Sequence, residues 1–383
     1  MIIGIDASRY DAKEKTGVEF YSKYIIDELI KSAQKQKTHQ LRFYSPYRLP
    51  RRCGQELNGS RILDENILIG QRIIPFKRLW TQFRLSWEMR NKAPDLLFVP
   101  SHTLPIFHPK KTVITIHDVA FIFFKKAYSF FQYHYLMWST KYACKRATKI
   151  IVPSQATKDD LVGFFRCRED KIAVIHHGVD FDFKSEITKN KEKQILKQFK
   201  LYKKKFIFFV GRIETKKNLE NIIEAFSEYK ERYDHDILLV LAGKRGIGFK
   251  SIWQKIVEKN LITDIFLPGY VTEEEKDVLI KNAQFFIFIS LYEGFGFPIL
   301  EAFRAKTPVL TANTSAMKEI AEDAAMRVNP TSINEIAQGI NKILNDEVFR
   351  RFLITKGEER LKSFDWGDAG RMTWRVVTEV SDS

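Results

Sequence analysis

Residues 285–304 read FFIFISLYEGFGFPILEAFR, and three kinds of local chemistry meet in them. Residues 285–290 form a short apolar run, aromatic and β-branched, of the kind buried on both faces of a parallel sheet. Residues 293–297 form a loop with two glycines. Pro298 suits the first turn of a helix, where its missing N–H costs nothing. A strand that passes through a glycine loop into a helix is half of a βαβ unit, so the chain is expected to be α/β. Glu293 lies in the loop and Glu301 one turn into the helix. Gly294 and Gly296 let a ligand come close, so the amides around Phe295, Gly296 and Phe297 would meet an anion at a helix N-terminus. Two functional readings of the glutamates stand open. They bind sugar hydroxyls, as an acidic residue does in dinucleotide sites, or they are the acid and base of a hydrolase. A plainer reading is an acidic helix start that complements the helix dipole.

Working outward, the same alternation recurs along all 383 residues. IIGIDA, LRFYS, LLFVP, TVITIHD, KIIVPS and KIAVIHH read as strands in the first half. KKFIFFVGR, DILLVLAGK, DIFLPGY, FFIFISLY and TPVLTA read so in the second. Amphipathic helical patterns separate them, such as VEFYSKYIIDELIKSA and SQATKDDLVGFFR, the latter opened by Ser154 as an N-cap. Two alternating series in a chain too long for one core imply two Rossmann-like domains. Their boundary is expected around residues 178–185, giving domains at 1–180 and 181–364, with a closing helix at 365–383.

Composition is that of an ordinary globular protein, 44% hydrophobic and 29% charged. No signal peptide and no apolar stretch of membrane-spanning length is evident. Cys53, Cys144 and Cys167 lack metal-ligand spacing, so a reduced cytoplasmic chain is expected. The net charge of +16 is uneven. Residues 1–178 hold 30 Lys and Arg against 16 Asp and Glu, so nearly all the excess lies there. FKRLWTQFRLSWEMRNK, at 76–92, sets Phe76, Leu79, Trp80, Phe83 and Trp87 at roughly helical spacing among Lys77, Arg78, Arg84 and Arg90. A basic helix with aromatic anchors suggests an anionic membrane surface, or else a solvated basic face over a packed aromatic stripe. No nucleic-acid recognition motif appears.

Ligands of open α/β sheets bind beyond the carboxyl ends of strands. After FIFFV come Gly211, Arg212 and Lys217, two cations near a helix start where the free N–H groups already favour an anion the size of a diphosphate. After TVIT come His117 and Asp118, expected at an interdomain cleft; such a His either bonds substrate, acts as a base, or is structural. Gly17 opens the first helix and is phosphate-binding or simply a turn residue.

Together these residues resemble the retaining glycosyltransferases of family 4. GR-x4-KN (Gly211, Arg212, Lys217, Asn218), E-x7-E (Glu293, Glu301), EGFGFPILEAF followed by TPVL, and MKEIAEDAAMRVNP occur in the family's order and spacing; IHD, IVPSQATKDDL and GYVTEEE match less specifically. The resemblance covers essentially the whole chain. It implies the GT-B architecture, two Rossmann-like parallel-sheet domains facing a cleft, with FDWGDAGRMTWRVVTEV as a C-terminal helix crossing back to the N-terminal, acceptor-binding domain. It implies that Arg212 and Lys217 hold the donor diphosphate beside Gly211. Glu293 and the 294–297 amides would meet the donor sugar, and Glu301 the ribose. Tyr270 and Val271 would meet the base, His117 the sugar and Gly17 the phosphates. The implied reaction is hexose transfer, mannose from GDP-mannose being the first choice, to a hydroxyl of a glycan or lipid-linked acceptor, with no cofactor and no metal. A nucleotide-sugar epimerase or hydrolase of the same fold, or a non-catalytic binding protein, are the alternatives. Two departures stand out: the first loop keeps only Gly17, and Ala305-Lys306-Thr307-Pro308 replaces a glycine-bearing turn, placing a lysine at a helix C-terminus.

Overall fold

The computed structural model describes residues 1–11, 17–36, 39–49, 69–75, 80–179, 187–233 and 236–382. Cys53, the 76–79 part of the basic aromatic run (Phe76, Lys77, Arg78, Leu79) and most of the expected boundary lie outside them. The chain divides into two compact units, Met1–Gly178 with Phe364–Ser383, and Val179–Ser363.

Unit 1 is built on seven strands: β1 (Ile2–Asp6), β2 (Gln40–Ser45), β3 (Ile69–Ile73), β4 (Leu96–Val99), β5 (Lys111–Thr115), β6 (Lys149–Val152) and β7 (Ile172–Val174). They pair in the order β3-β2-β1-β4-β5-β6-β7, every pair parallel. Unit 2 holds β8 (Phe206–Val210), β9 (Leu238–Ala242), β10 (Ile265–Gly269), β11 (Phe285–Phe288), β12 (Val309–Ala312) and β13 (Met326–Val328). Their order is β10-β9-β8-β11-β12-β13, again all parallel. In each sheet the strand order reverses once, between β1 and β4 and between β8 and β11. The crevice beyond the strand ends at such a reversal is where an open sheet accepts ligand. The central strands read as continuous apolar runs because helices cover both faces: Phe206, Ile207, Phe208 and Phe209 of β8 and all of β11 are buried. Burial of this kind is worth about 1.5–3 kcal/mol per large side chain.

Helix signals were honoured locally. Ser154 Oγ accepts from the Thr157 amide and opens Gln155–Phe165. Thr272 and Glu275 form a reciprocal capping box before Glu273–Asn282. The C-terminal helix Trp366–Asp382 belongs to unit 1, where Trp366 stacks on Tyr24 and Trp374 Nε1 donates to Gln36 of the first helix, Gly17–Gln36.

The 76–92 run departs from expectation. A wide turn at Thr81–Leu85 precedes the helix Ser86–Lys92, and the aromatics part company. Trp80 is buried and donates to the Ile74 carbonyl, whereas Phe83 and Trp87 stand about three-fifths exposed, at 60% and 61%. An indole N–H bonded inside a core holds its ring there, while its neighbours face solvent. Two short strands, β3 and β13, escaped the sequence reading because neither shows strict alternation or a long apolar run.

Candidate active site

At the β8–β11 reversal the two strand-ending loops are tied together. The Leu291 amide donates to the Lys216 carbonyl at 2.9 Å. That tie sets the GR-x4-KN loop against the glutamate loop, and the Lys217 ammonium donates to Glu293 Oε1 at 2.5 Å. Both side chains are largely shielded from solvent, and Lys217 also lies over the Phe288 ring, 5.1 Å from its centre. Burial by itself would raise the Glu293 carboxyl, but the Lys217 and Lys216 charges and the Lys217 hydrogen bond outweigh it and hold it below the usual carboxylate range. Glu293 is therefore an ionised acceptor, fit for hydroxyl groups and unfit to donate a proton. Its amide donates to Ser315 Oγ at 3.2 Å, a positioning contact supplied from beyond β12.

Lys217 itself is held by its neighbour. Asn218 sits in the left-handed region, at φ +60°, and donates to the Pro330 carbonyl at 2.6 Å; Asn221 donates there too. Asparagine tolerates that conformation, so the second letter of the KN pair fixes where the first one points. Arg212 is different. Its side chain is 64% exposed, with only a distant approach to Glu214 at 3.9 Å. Gly211 precedes it where β8 and β9 end, and there backbone packs on backbone. A Cβ on Gly243 would lie 1.8 Å from the Gly211 carbonyl oxygen, at a φ of +143° that disfavours any side chain. This close approach sets the level at which the Arg212 loop leaves the sheet.

The helix Phe297–Arg304 starts at Gly296, φ +127°, with Pro298 in its first turn and no side chain capping it. Phe295 is buried and its ring meets that of Phe297 edge-on at 5.1 Å; Gly294 and Gly296 are buried beside them. Glu301 does not join Glu293. It pairs with Lys276 of the preceding helix at 2.7 Å, and Lys276 also holds Glu273 at 2.9 Å. Burial disfavours the Lys276 charge, yet the two carboxylates outweigh it and hold the ammonium well above the usual lysine range. The two glutamates are thus separate carboxylates, each with its own lysine. Lys276 was not singled out in the sequence, although Glu273 and Lys276 stand one helical turn apart in TEEEKD. Beyond β10, Tyr270 is 66% exposed with Lys244 over its ring, and Val271 is buried.

In unit 1, Gly17 is the first residue of its helix and is exposed. His117 lies two residues beyond β5. Its Nε2 is 3.2 Å from the Pro100 carbonyl, which only accepts, so Nε2 carries the proton; its Nδ1 then accepts from His177 Nε2 at 3.4 Å. Tyr21 meets both rings, at 4.8 and 4.5 Å. Burial drives His117 down to about 4 and His177 well below its ordinary value, so both rings are neutral at pH 7. His177 was read only as part of a strand. Among the described residues no group of three or more His, Cys, Asp and Glu is gathered as a metal site. Cys144 and Cys167 are free and buried thiols.

Comparison with known proteins fits this geometry. The family model described as "Glycosyl transferases group 1" matches residues 190–360, and "Glycosyltransferase Family 4" matches residues 17–183. O-antigen chain mannosyltransferase B of Escherichia coli is 25% identical over 79% of this chain and 78% of its own length. O-antigen chain mannosyltransferase RfbU of Salmonella typhimurium is 26% identical over 66% and 65%. Among solved structures, sucrose-phosphate synthase from Thermosynechococcus elongatus superposes with a TM-score of 0.72 at 16% identity, over 100% of this chain and 99% of that one. HepE from Anabaena, solved with UDP and glucose, gives 0.69 at 16%, over 99% and 100%. The two matched segments together span nearly the whole chain, and it belongs to the family 4 glycosyltransferases of the GT-B fold.

Proposed function

We propose that this chain transfers mannose from GDP-mannose to a hydroxyl of a growing glycan or lipid-linked saccharide, with retention at the anomeric carbon and without a metal. The observation that carries the proposal is the shielded Lys217–Glu293 pair at the sheet reversal of unit 2. A cation and an anion held 2.5 Å apart match the two chemistries adjoining in a nucleotide sugar, the diphosphate and the sugar hydroxyls. The choice of mannose is supported by the names of the O-antigen relatives.

In the proposed reaction the bond from the sugar C1 to the diphosphate oxygen breaks, and its electron pair goes to the leaving phosphate. The acceptor oxygen bonds to C1 from the same face, and its proton passes to the leaving phosphate oxygen. Lys217, the exposed and adaptable Arg212 and the uncapped helix start at Gly296 stabilise the charge that accumulates there. Glu293 orients the sugar through its hydroxyls, Glu301 the ribose, and the backbone around Tyr270 and Val271 the base. For His117 to serve the transferred sugar, it must release its bond to Pro100 or to His177, so the proposal rests on the residues of unit 2.

Thermal shift with GDP, UDP and ADP tests the donor. The matching nucleotide at a hundred times its Kd raises stability by about 2.7 kcal/mol, and GDP is expected to do so. A shift with UDP alone would reassign the donor. Turnover with GDP-mannose is expected to survive excess EDTA, and a strict divalent requirement would remove the metal-free part. The anomeric configuration of the product, read by NMR, decides retention.

A further inference from the structure

The exposed aromatic surface of unit 1 is centred on the helix Phe130–Arg146, outside the 76–92 run. Its outward stripe reads Phe131, His134, Trp138, Lys141 and Lys145, spaced three or four apart, with Phe130 beside the first. Phe131 is 83% exposed and Phe130 70%, values unusual for the largest apolar side chains of a folded domain. The helix has no acidic residue. Its buried residues, Ser139, Thr140, Ala143 and Cys144, anchor the C-terminal half, and Tyr133, Leu136 and Met137 are half-buried in the first half, so the helix presents its aromatics outward as a ridge.

The ridge continues into neighbouring elements. Trp138 stacks on Tyr142, whose hydroxyl donates to the Ile106 carbonyl at 2.7 Å. Ile106 and Phe107 are both exposed; the Phe107 amide donates to Ser86 Oγ, and Arg90 lies over the Phe107 ring. Trp87 stands on the same helix as Ser86 and Arg90, and Phe83 on the wide turn before it. Residues 80–146 carry ten Lys and Arg against three Asp and Glu, and one of those three, Glu88, is spent on Arg72. No helix of the described residues is long and apolar enough to cross a membrane.

We infer that this aromatic and basic ridge is a docking surface for an anionic phospholipid bilayer, with Phe130, Phe131 and Trp138 entering the interface and Lys141 and Lys145 meeting the headgroup phosphates. Rigid aromatic rings suit the boundary between headgroups and acyl chains, and flanking cations add attraction to anionic lipid. The excess of positive charge over the whole ridge is the complement of such a surface and opposes the meeting of two copies. The inference deepens the reading of a lipid-linked acceptor, because it brings the enzyme to the surface where such an acceptor resides. Its test does not depend on that reading.

The test is flotation of the full chain with vesicles of phosphatidylcholine alone and of phosphatidylcholine mixed with phosphatidylglycerol. The wild type is expected to float with the mixed vesicles only, and less as salt rises. The double variant F131S/W138S and the double variant K141E/K145E are each expected to lose roughly tenfold or more in vesicle binding. All four positions are exposed, so circular dichroism and the nucleotide thermal shift should be unchanged, which separates a failed fold or a failed donor assignment from a failed docking surface. Equal binding by the variants and the wild type would overturn the inference, as would no binding of the wild type to mixed vesicles. Conversion of a wild-type dimer into a monomer by W138S, seen by light scattering, would also overturn it and assign the face to self-association.

Discussion

The ends of the central strands in the two units solve opposite electrostatic problems. In unit 2 the two glutamates that follow β11 each hold a lysine, Glu293 with Lys217 beyond β8 and Glu301 with Lys276 beyond β10, while Arg212 stands exposed. In unit 1 His117 beyond β5, His177 beyond β7 and Tyr21 share a cluster in which burial suppresses ionisation, with the Asp118 carboxylate next to His117. The folds are alike, with one strand-order reversal each, so the sheet does not dictate the chemistry. The difference lies in which residue follows the strand. Lys276 keeps its charge between two carboxylates despite burial, whereas at His117 the Pro100 carbonyl and the Asp118 and Glu19 carboxylates do not outweigh burial and the ring gives its charge up.

The sharpest way to break the contrast is to remove one charge of a pair. Lys217→Ala strips the cation from the proposed diphosphate and leaves Glu293 shielded without its partner. It should cost about 2–4 kcal/mol in transition-state stabilisation, read as kcat/KM with the nucleotide sugar. Turnover at the wild-type level would refute the role. Lys217→Met, which keeps the volume over Phe288, separates loss of charge from loss of packing.

Acid should tell the two units apart. The depressed value of His117 means that the unfolded chain takes up a proton below about 6.5 while the folded ring does not until about 4. Stability of unit 1 is therefore present above that window and falls as pH drops through it, by at most about 3 kcal/mol from this one ring. Glu293 has the depressed carboxylate pattern. Its contribution is complete above the ordinary glutamate range and is lost only below it, as pH falls towards the folded value. Hydrogen exchange at pH 7 and pH 5 should thus show unit 1 amides losing protection first. Simultaneous loss in both units would contradict the neutral-cluster account.

A smaller effect separates the two glutamates. Lys276 touches no proposed substrate group; it holds Glu301, so Lys276→Met should raise the KM for the donor with little change in kcat. The expected loss is about 1–2 kcal/mol, that of one charge-assisted hydrogen bond. The penalty should disappear with a donor analogue lacking the ribose hydroxyls. A fall in kcat of equal size would mean that Lys276 acts on the reacting centre.

Much of the site was legible because it is local. The 285–304 stretch carries its strand, its glycine loop and its helix start within one short segment, and each is specified by short-range rules that tertiary context had no reason to override. The GR-x4-KN loop is legible for the same reason: Asn218 adopts its left-handed turn where the spacing puts it. What could not be read was partnership across elements. Nothing in the sequence says that Glu301 would turn to Lys276 rather than to Glu293's neighbourhood, or that His117 would be neutralised beside His177, sixty positions away. The basic aromatic surface shows the same division. Composition located the charge in the first half, but which rings face outward depended on what each helix packs against: Trp80 of the 76–92 run went into the core, and Phe131 of an unremarked helix came out.

The amino-acid order by itself therefore determined the two α/β series, the loops that end their strands and the residue types those loops carry, because periodicity, glycine, proline and capping act over a few residues. Tertiary structure alone decided the pairing of each glutamate with its own lysine, the silencing of the histidines and the outward ridge of unit 1. Those depend on distance through space, where burial and neighbouring charge set the state of every ionisable group.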